Sequence, residues 1–343
     1  MRTFAASSLD QLTPSVRSLV EQIKVATTSS SSEEKQADLW RRLGKTQLDA
    51  REYAEARRIF CHGSKLCSSD DKLLHHVKVW NVFHGDEMEE PLPQQPDTTP
   101  PPLEIPKNQP DLFLSLDVPP ASIPEPIKRW KGQLPPDLRT RIIHASTQPL
   151  LPKEACDFLI HAAKECAKRR GGWTKDRHVQ APTCDVPVFD LDVPALGWCR
   201  QAMREALLPL LSETVAPELD ISAKELCIQD CFIVRYDGGG DEQGPGFDSL
   251  RPHEDESLLS LTIALNDQSQ YEGGGLYIHS TGDLLNGDAG TVLCFAGQLV
   301  HGGYPVTTGT RWILTVFLYV DGNESGKPPG YTLDAINDQL KQE

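Results

Sequence analysis

Apolar residues recur at helical spacing from Ala37 to Ser69 (ADLWRRLGKTQLDAREYAEARRIFCHGSKLCSS), with a break near Asp49 to Arg51. The period predicts two antiparallel helices. KEACDFLIHAAKECAKR predicts a third over Lys153 to Arg169, ended by Gly171 and Gly172, and a further helix is expected from about Ala195 to Thr214. Beyond that point the period changes. CIQDCFIVRYD, SLLSLTIALN, GGLYIHS, GTVLCFAG and RWILTVFLYV are five runs rich in Val, Ile, Leu and aromatic residues, parted by Gly, Asp and Asn, and they read as strands. Helices followed by short strands give an α+β chain whose C-terminal half is a β-sandwich or barrel.

Proline divides these regions. Of the 27 prolines, 14 fall between Pro91 and Pro136, the composition of an extended or polyproline spacer. Its apolar residues Leu112, Phe113, Leu114, Val118, Ile123 and Trp130 suit a segment laid along a folded surface. The expected domains are a helical region over 1–90, a Pro-rich linker over 91–137, a main domain over 138–322 and a tail over 323–343. In the helical region Trp40-x2-Leu43-Gly44 followed by Ala56-x3-Phe60 resembles one tetratricopeptide unit, and Leu73 to Val82 could begin a second. About three repeats make a free-standing solenoid. The hairpin therefore either packs on the main domain, dimerises, or binds a protein partner.

Composition narrows the partners. With 49 acidic residues against 34 Lys and Arg the formal charge is −15, which argues against nucleic acid or an anionic membrane. The longest apolar run, Trp312 to Val320, is far short of the roughly 20 residues of a membrane span. Nine cysteines, an odd number without C-x-x-C spacing, argue against a disulfide framework or zinc ribbon. The first thirty residues lack an apolar signal region, and Asp10 and Glu21 do not suit a transit peptide. The expectation is a soluble, reduced, cytoplasmic protein.

The chemistry concentrates in SLRPHEDES. On an extended strand His253 and Asp255, at i and i+2, point to one face and can reach one metal. A third ligand must come from another strand, and His301, after GTVLCFAG, is the candidate. Two His and one carboxylate on one face of an octahedron leave positions open, the arrangement of non-haem Fe(II) oxygenases. Ten residues after His301 stands Arg311, at the start of a strongly apolar run, where a guanidinium pairs with a carboxylate such as that of 2-oxoglutarate.

At these residues the sequence resembles the Fe(II)/2-oxoglutarate dioxygenases of the prolyl/lysyl hydroxylase type, and most of all the catalytic domain of lysyl hydroxylases. VRYDGGGDEQ, SLRPHEDES, TIALND, YEGGG and GTVLCFAGQLVHGGYPVTTGTRW carry the resemblance in order, and APTCDVPV fits more weakly. It covers about Leu150 to Val320. It implies a double-stranded β-helix (jelly-roll) with flanking helices, Fe(II) held by His253, Asp255 and His301, and Arg311 anchoring the side-chain carboxylate of 2-oxoglutarate. It adds Tyr236 and Thr262 as further co-substrate contacts, O2 as oxidant, ascorbate as reductant, and succinate and CO2 as products. The implied substrate is a prolyl or lysyl side chain of a protein or peptide, with a small molecule, or a non-catalytic binding module built on the N-terminal hairpin, as alternatives.

Two departures stand out. An additional GPGFD-like segment precedes His253, and Ala264 stands where some prolyl hydroxylases have a pocket tyrosine. Glu272-Gly273-Gly274-Gly275 reads as a turn that lets two strands approach closely; without Lys-Ser/Thr it is no P-loop. His279 lacks a spaced carboxylate and reads as structural. From Gln229 to Gly290 twelve acidic residues face two arginines, so most of the net charge surrounds the candidate metal site, and such a field favours a basic peptide.

Overall fold

The computed structural model describes residues 12–29, 31–85, 99–103, 106, 112–118, 141–178, 181–214, 225–239, 248–321 and 331–340. The chain falls into two compact units, residues 1–81 with 319–343, and residues 82–318.

The first unit is helical. Helices α1 (Pro14–Thr28), α2 (Glu33–Asp49) and α3 (Tyr53–Leu66) precede α4 (Asp71–His84), which runs across the unit boundary. Ser32 caps α2, accepting from the Lys35 amide. Gly44, picked out by the repeat-like spacing, and Gly63, which that spacing does not include, are contact points. A Cβ on Gly44 would lie 2.3 Å from the Phe60 ring, and one on Gly63 would lie 2.7 Å from Cβ of Trp40. Close backbone approach is what glycine permits here, and Trp40 and Leu43 are fully buried as a result. The segment expected as a tail contains α8 (Tyr331–Leu340), which packs on α1 and α3 and buries Ala335 and Ile336. Its first-turn amides at Thr332 and Leu333 donate to Oε1 of Glu55, at 2.8 and 2.9 Å.

The second unit is built on two sheets. The larger has the order β1-β2-β10-β6-β12-β4-β3, with β7 paired to β12; the smaller has the order β5-β11-β8-β9. The strands are β1 (Phe113–Asp117), β2 (Arg141–Ser146), β3 (Asp185–Pro187), β4 (Leu226–Gly238), β5 (Leu250–His253), β6 (Leu259–Ala264), β7 (Tyr271–Gly273), β8 (Leu276–Ile278), β9 (Leu284–Leu285), β10 (Val292–Ala296), β11 (His301–Gly303) and β12 (Val306–Val320). The β10–β6, β12–β6 and β11–β5 pairs are antiparallel, as in a jelly-roll. Helix α5 (Lys153–Arg169) has the bounds that its period predicts, and Gly171 and Gly172 leave it at φ of 84° and 125°. The expected helix over Ala195–Thr214 is α6 (Val193–Gln201), a π-helical turn (Ala202–Leu207) and α7 (Leu208–Thr214).

Within the Pro-rich segment, Phe113–Asp117 forms the edge strand of the larger sheet, with Leu112 and Val118 buried on either side of it. The rest of that segment lies largely outside the described residues. So does most of the additional stretch before His253.

Candidate functional site

His253 and His301 face each other directly across the β5–β11 ladder. Antiparallel pairing sets cross-strand neighbours about 5 Å apart, and the two imidazole centroids are 4.6 Å apart. Asp255 lies just beyond the end of β5 rather than on it, so the shared strand face expected from the spacing is not what joins it to His253. Its amide donates to the Gly297 carbonyl at 2.7 Å, which ties the ligand loop to the turn before His301. Its Oδ1 lies 3.2 Å from Nε2 of His253 and its Oδ2 lies 3.4 Å from Nε2 of His301. One ligand atom from each residue lies within 4.8 Å of the others, so the trio can hold one metal ion.

Local hydrogen bonds aim the rings. Nδ1 of His253 lies 2.9 Å from the Arg251 carbonyl and Nδ1 of His301 lies 2.8 Å from the Leu299 carbonyl. A carbonyl only accepts, so in neutral imidazoles Nδ1 carries the proton and the Nε2 lone pairs point to one locus. The edge of Phe295 packs on His301 at 4.6 Å between centroids. Electrostatics separates the three groups. Burial resists ionisation of Asp255, but His301, His253 and Ser260 together hold its pKa below the usual carboxylate value. Burial also opposes a charged His253, yet the hydrogen bond and charge of Asp255 raise its pKa above that of an ordinary histidine. At His301 burial prevails and the pKa falls.

Four residues of β12 and β6 face the same interior. Along β12 the alternation places Arg311 and Thr315 on one face, and Thr315 pairs with Thr262 of β6, two residues from Ser260. Arg311 is 4% exposed. Among the described residues no carboxylate pairs with its guanidinium, and its buried Nε has no hydrogen-bond partner. The glycine turn makes room for it, since a Cβ on Gly274, at φ 69°, would lie 2.9 Å from Cδ of Arg311. Tyr236 lies under the guanidinium at 5.6 Å. Burial pushes its phenol up to about 12, so it stays protonated and can donate a hydrogen bond. Arg311 opposes that rise and Asp255 adds to it, so the phenol senses both. Thr262 and Thr315 are buried too, and neither hydroxyl is hydrogen-bonded among the described residues.

All six residues singled out by sequence thus line one interior. His279 is outside the ligand trio. Two residues were missed. Thr315 is legible only through the register that sets it opposite Thr262. Ser260 donates to Oδ2 of Asp255 at 2.6 Å, in a run where serine gives no sign of its partner.

This donor set suits a divalent metal with an anionic ligand beside it, because among the described residues the buried cation has no paired carboxylate. Comparison with known proteins agrees. Residues 231–319 match the family model of the 2OG-Fe(II) oxygenase superfamily. The human multifunctional procollagen lysine hydroxylase and glycosyltransferase LH3 is 31% identical over 177 residues, which are 50% of this chain and 23% of that protein. A Caenorhabditis elegans multifunctional procollagen lysine hydroxylase and glycosyltransferase is 30% identical over the same shares. A crystal structure of a Pseudomonas putida prolyl-4-hydroxylase superposes with a TM-score of 0.37 at 19% identity, over 54% of this chain and 96% of that one. This chain spans less than a quarter of the curated relatives it matches. The stretch that matches the 2OG-Fe(II) oxygenase superfamily model, residues 231–319, contains all three residues of the metal-ligand trio.

Proposed function

We propose that the chain is an Fe(II)- and 2-oxoglutarate-dependent dioxygenase that hydroxylates a C–H bond of a prolyl or lysyl side chain in a protein or peptide. The observation that carries this reading is a His253–Asp255–His301 trio on the same interior as a buried guanidinium that pairs with no carboxylate among the described residues. When bound, iron with 2-oxoglutarate and O2 supplies the oxidising power that places one oxygen atom on carbon and the other in succinate, with release of CO2. The residues of this chain bind and orient. His253, Asp255 and His301 would hold the metal through two imidazoles and one carboxylate. Arg311 would receive the distal carboxylate of 2-oxoglutarate, whose negative charge would pair with the buried guanidinium. Tyr236 and Thr262 would donate hydrogen bonds to that carboxylate, and neither hydroxyl has a hydrogen-bond partner among the described residues.

The choice of a peptidyl substrate rests on the lysine hydroxylase relatives and on the acidic surroundings of the site, which favour a basic peptide. Ascorbate would serve as reductant, as the resemblance implies, and the helical first unit could contact a protein partner. Incubating peptide pools rich in Lys or Pro with the protein, Fe(II), 2-oxoglutarate and ascorbate tests the reading by mass spectrometry. A one-oxygen mass gain on Lys or Pro that needs 2-oxoglutarate supports it. Absence of that gain from every peptide, alongside a hydroxylated small molecule, would overturn the peptidyl assignment.

A further inference from the structure

We propose that Ser260, backed by Ser257, is a positioning residue that fixes the Asp255 carboxylate so that it meets a metal through Oδ1 alone. The inference rests on the metal-site reading above and extends it to two residues that touch no substrate. Ser260 Oγ lies 2.6 Å from Oδ2 of Asp255, and Ser257 Oγ lies 2.7 Å from Ser260 Oγ. Both serines are fully buried. The proton directions follow from chemistry. A carboxylate that ligates a metal is ionised and only accepts, so the single Ser260 proton is given to Oδ2. With that proton committed, Ser260 can only accept from Ser257, and the relay runs Ser257 to Ser260 to Asp255.

The surroundings hold the relay in place. The Ser257 carbonyl accepts from the Gln298 side chain, and a Cβ on Gly297 would lie 2.2 Å from Ser257 Oγ, so only glycine lets the turn before His301 close over the serines. The Asp255 amide donates to that same Gly297. The carboxylate is therefore anchored at its backbone and at Oδ2, which lies 3.4 Å from Nε2 of His301 but accepts the Ser260 hydrogen bond. Oδ1, which faces His253, accepts no hydroxyl or amide hydrogen bond among the described residues and is the oxygen left for a ligand bond. Hydrogen-bonded partners of metal ligands set ligand orientation, and their removal weakens metal affinity by about 10- to 100-fold.

Titration of the metal-free full-length chain with Co(II), followed by visible absorption, tests this without turnover. Ser260→Ala is expected to raise the Co(II) Kd by about 10- to 100-fold and to change the Co(II) spectrum. Ser257→Ala, which keeps the direct donor, should fall between Ser260→Ala and wild type, and Ser260→Thr, which retains a hydroxyl, should stay near wild type. Circular dichroism checks that each variant is folded. A folded Ser260→Ala protein with the wild-type Kd and spectrum would overturn the inference, and so would an equal loss in Ser260→Thr. Failure of the wild type to bind Co(II) in an Asp255-dependent manner would instead remove the metal-site reading itself.

Discussion

Replacing Arg311 with methionine should move stability and co-substrate binding in opposite directions. The guanidinium is 4% exposed, and its buried Nε has no hydrogen-bond partner. Desolvating a charge costs several kcal/mol even after relaxation. Within the pocket the compensation shown is the Tyr236 ring at 5.6 Å, and a desolvated cation–π contact returns on the order of 2 kcal/mol, less than the several kcal/mol that desolvation costs. Without co-substrate the buried guanidinium is therefore a net cost, and methionine, which fills much of the same volume, should leave the ligand-free protein as stable as wild type or more so. Binding reverses the sign. Removing one partner of a buried, hydrogen-bonded charge pair costs about 2–5 kcal/mol, a loss of roughly 30-fold to several thousand-fold in 2-oxoglutarate affinity. Differential scanning fluorimetry with Mn(II) and increasing 2-oxoglutarate reads both effects. Wild type should gain about 2.7 kcal/mol at a hundredfold excess over Kd, and Arg311→Met should gain almost nothing at the same concentration. A variant that loses stability when ligand-free yet keeps its shift with 2-oxoglutarate would refute the reasoning.

Metal binding should weaken as pH falls, since the metal needs the neutral imidazole and the raised pKa of His253 in the metal-free protein lets protons compete at higher pH than at an ordinary histidine. Affinity should drop by up to about tenfold per pH unit below that pKa, while His301, with a lowered pKa, adds nothing over the same range; isothermal titration in buffers of different ionisation enthalpy reads the released proton. In the helical unit, Gly44→Ala should destabilise by about 1–2 kcal/mol despite alanine's better helix propensity. The new Cβ would lie 2.3 Å from a Phe60 ring stacked on His76 at 3.9 Å, and urea unfolding with Phe60→Leu as a relieving second change checks it. If the acidic surroundings attract substrate, kcat/KM for a Lys-rich peptide should fall several-fold between low and physiological salt and exceed that for an acidic peptide. Equal rates at all salt concentrations would reduce the acidity to a matter of solubility.

The sequence makes the chemistry easier to read than the scaffold that presents it. His253, Asp255, His301 and Arg311 stand out by residue type and spacing, and the structure gathers them on one interior. The strands bearing the histidines were not legible. β5 is four residues long and contains Arg251 and Pro252, and β11 is His301 followed by two glycines, so neither has the alternating apolar pattern of a strand. They are strands because they pair with each other and, at β11, with β8. Long-range partners explain the other misses. β1 and β2 become strands through the ladder they share and through β10, and α8 is capped by Glu55 from far along the chain. Ser260 looks like any serine in an apolar strand until Asp255 is seen within 2.6 Å. The periodic elements were set locally, and their predicted helices and strands stand near the expected residues.

If His253, Asp255 and His301 hold the iron of a 2-oxoglutarate-consuming reaction, as proposed, turnover of the co-substrate must depend on Asp255. Succinate formation from 2-oxoglutarate in the presence of Fe(II), ascorbate and O2, measured for wild type and Asp255→Ala with matched circular dichroism, tests it most directly. Wild type should form succinate, and Asp255→Ala should form it at least about 100-fold more slowly, since losing a ligand should cost no less than the roughly 10- to 100-fold that follows loss of a ligand's hydrogen-bonded partner. Equal succinate from both proteins would contradict it.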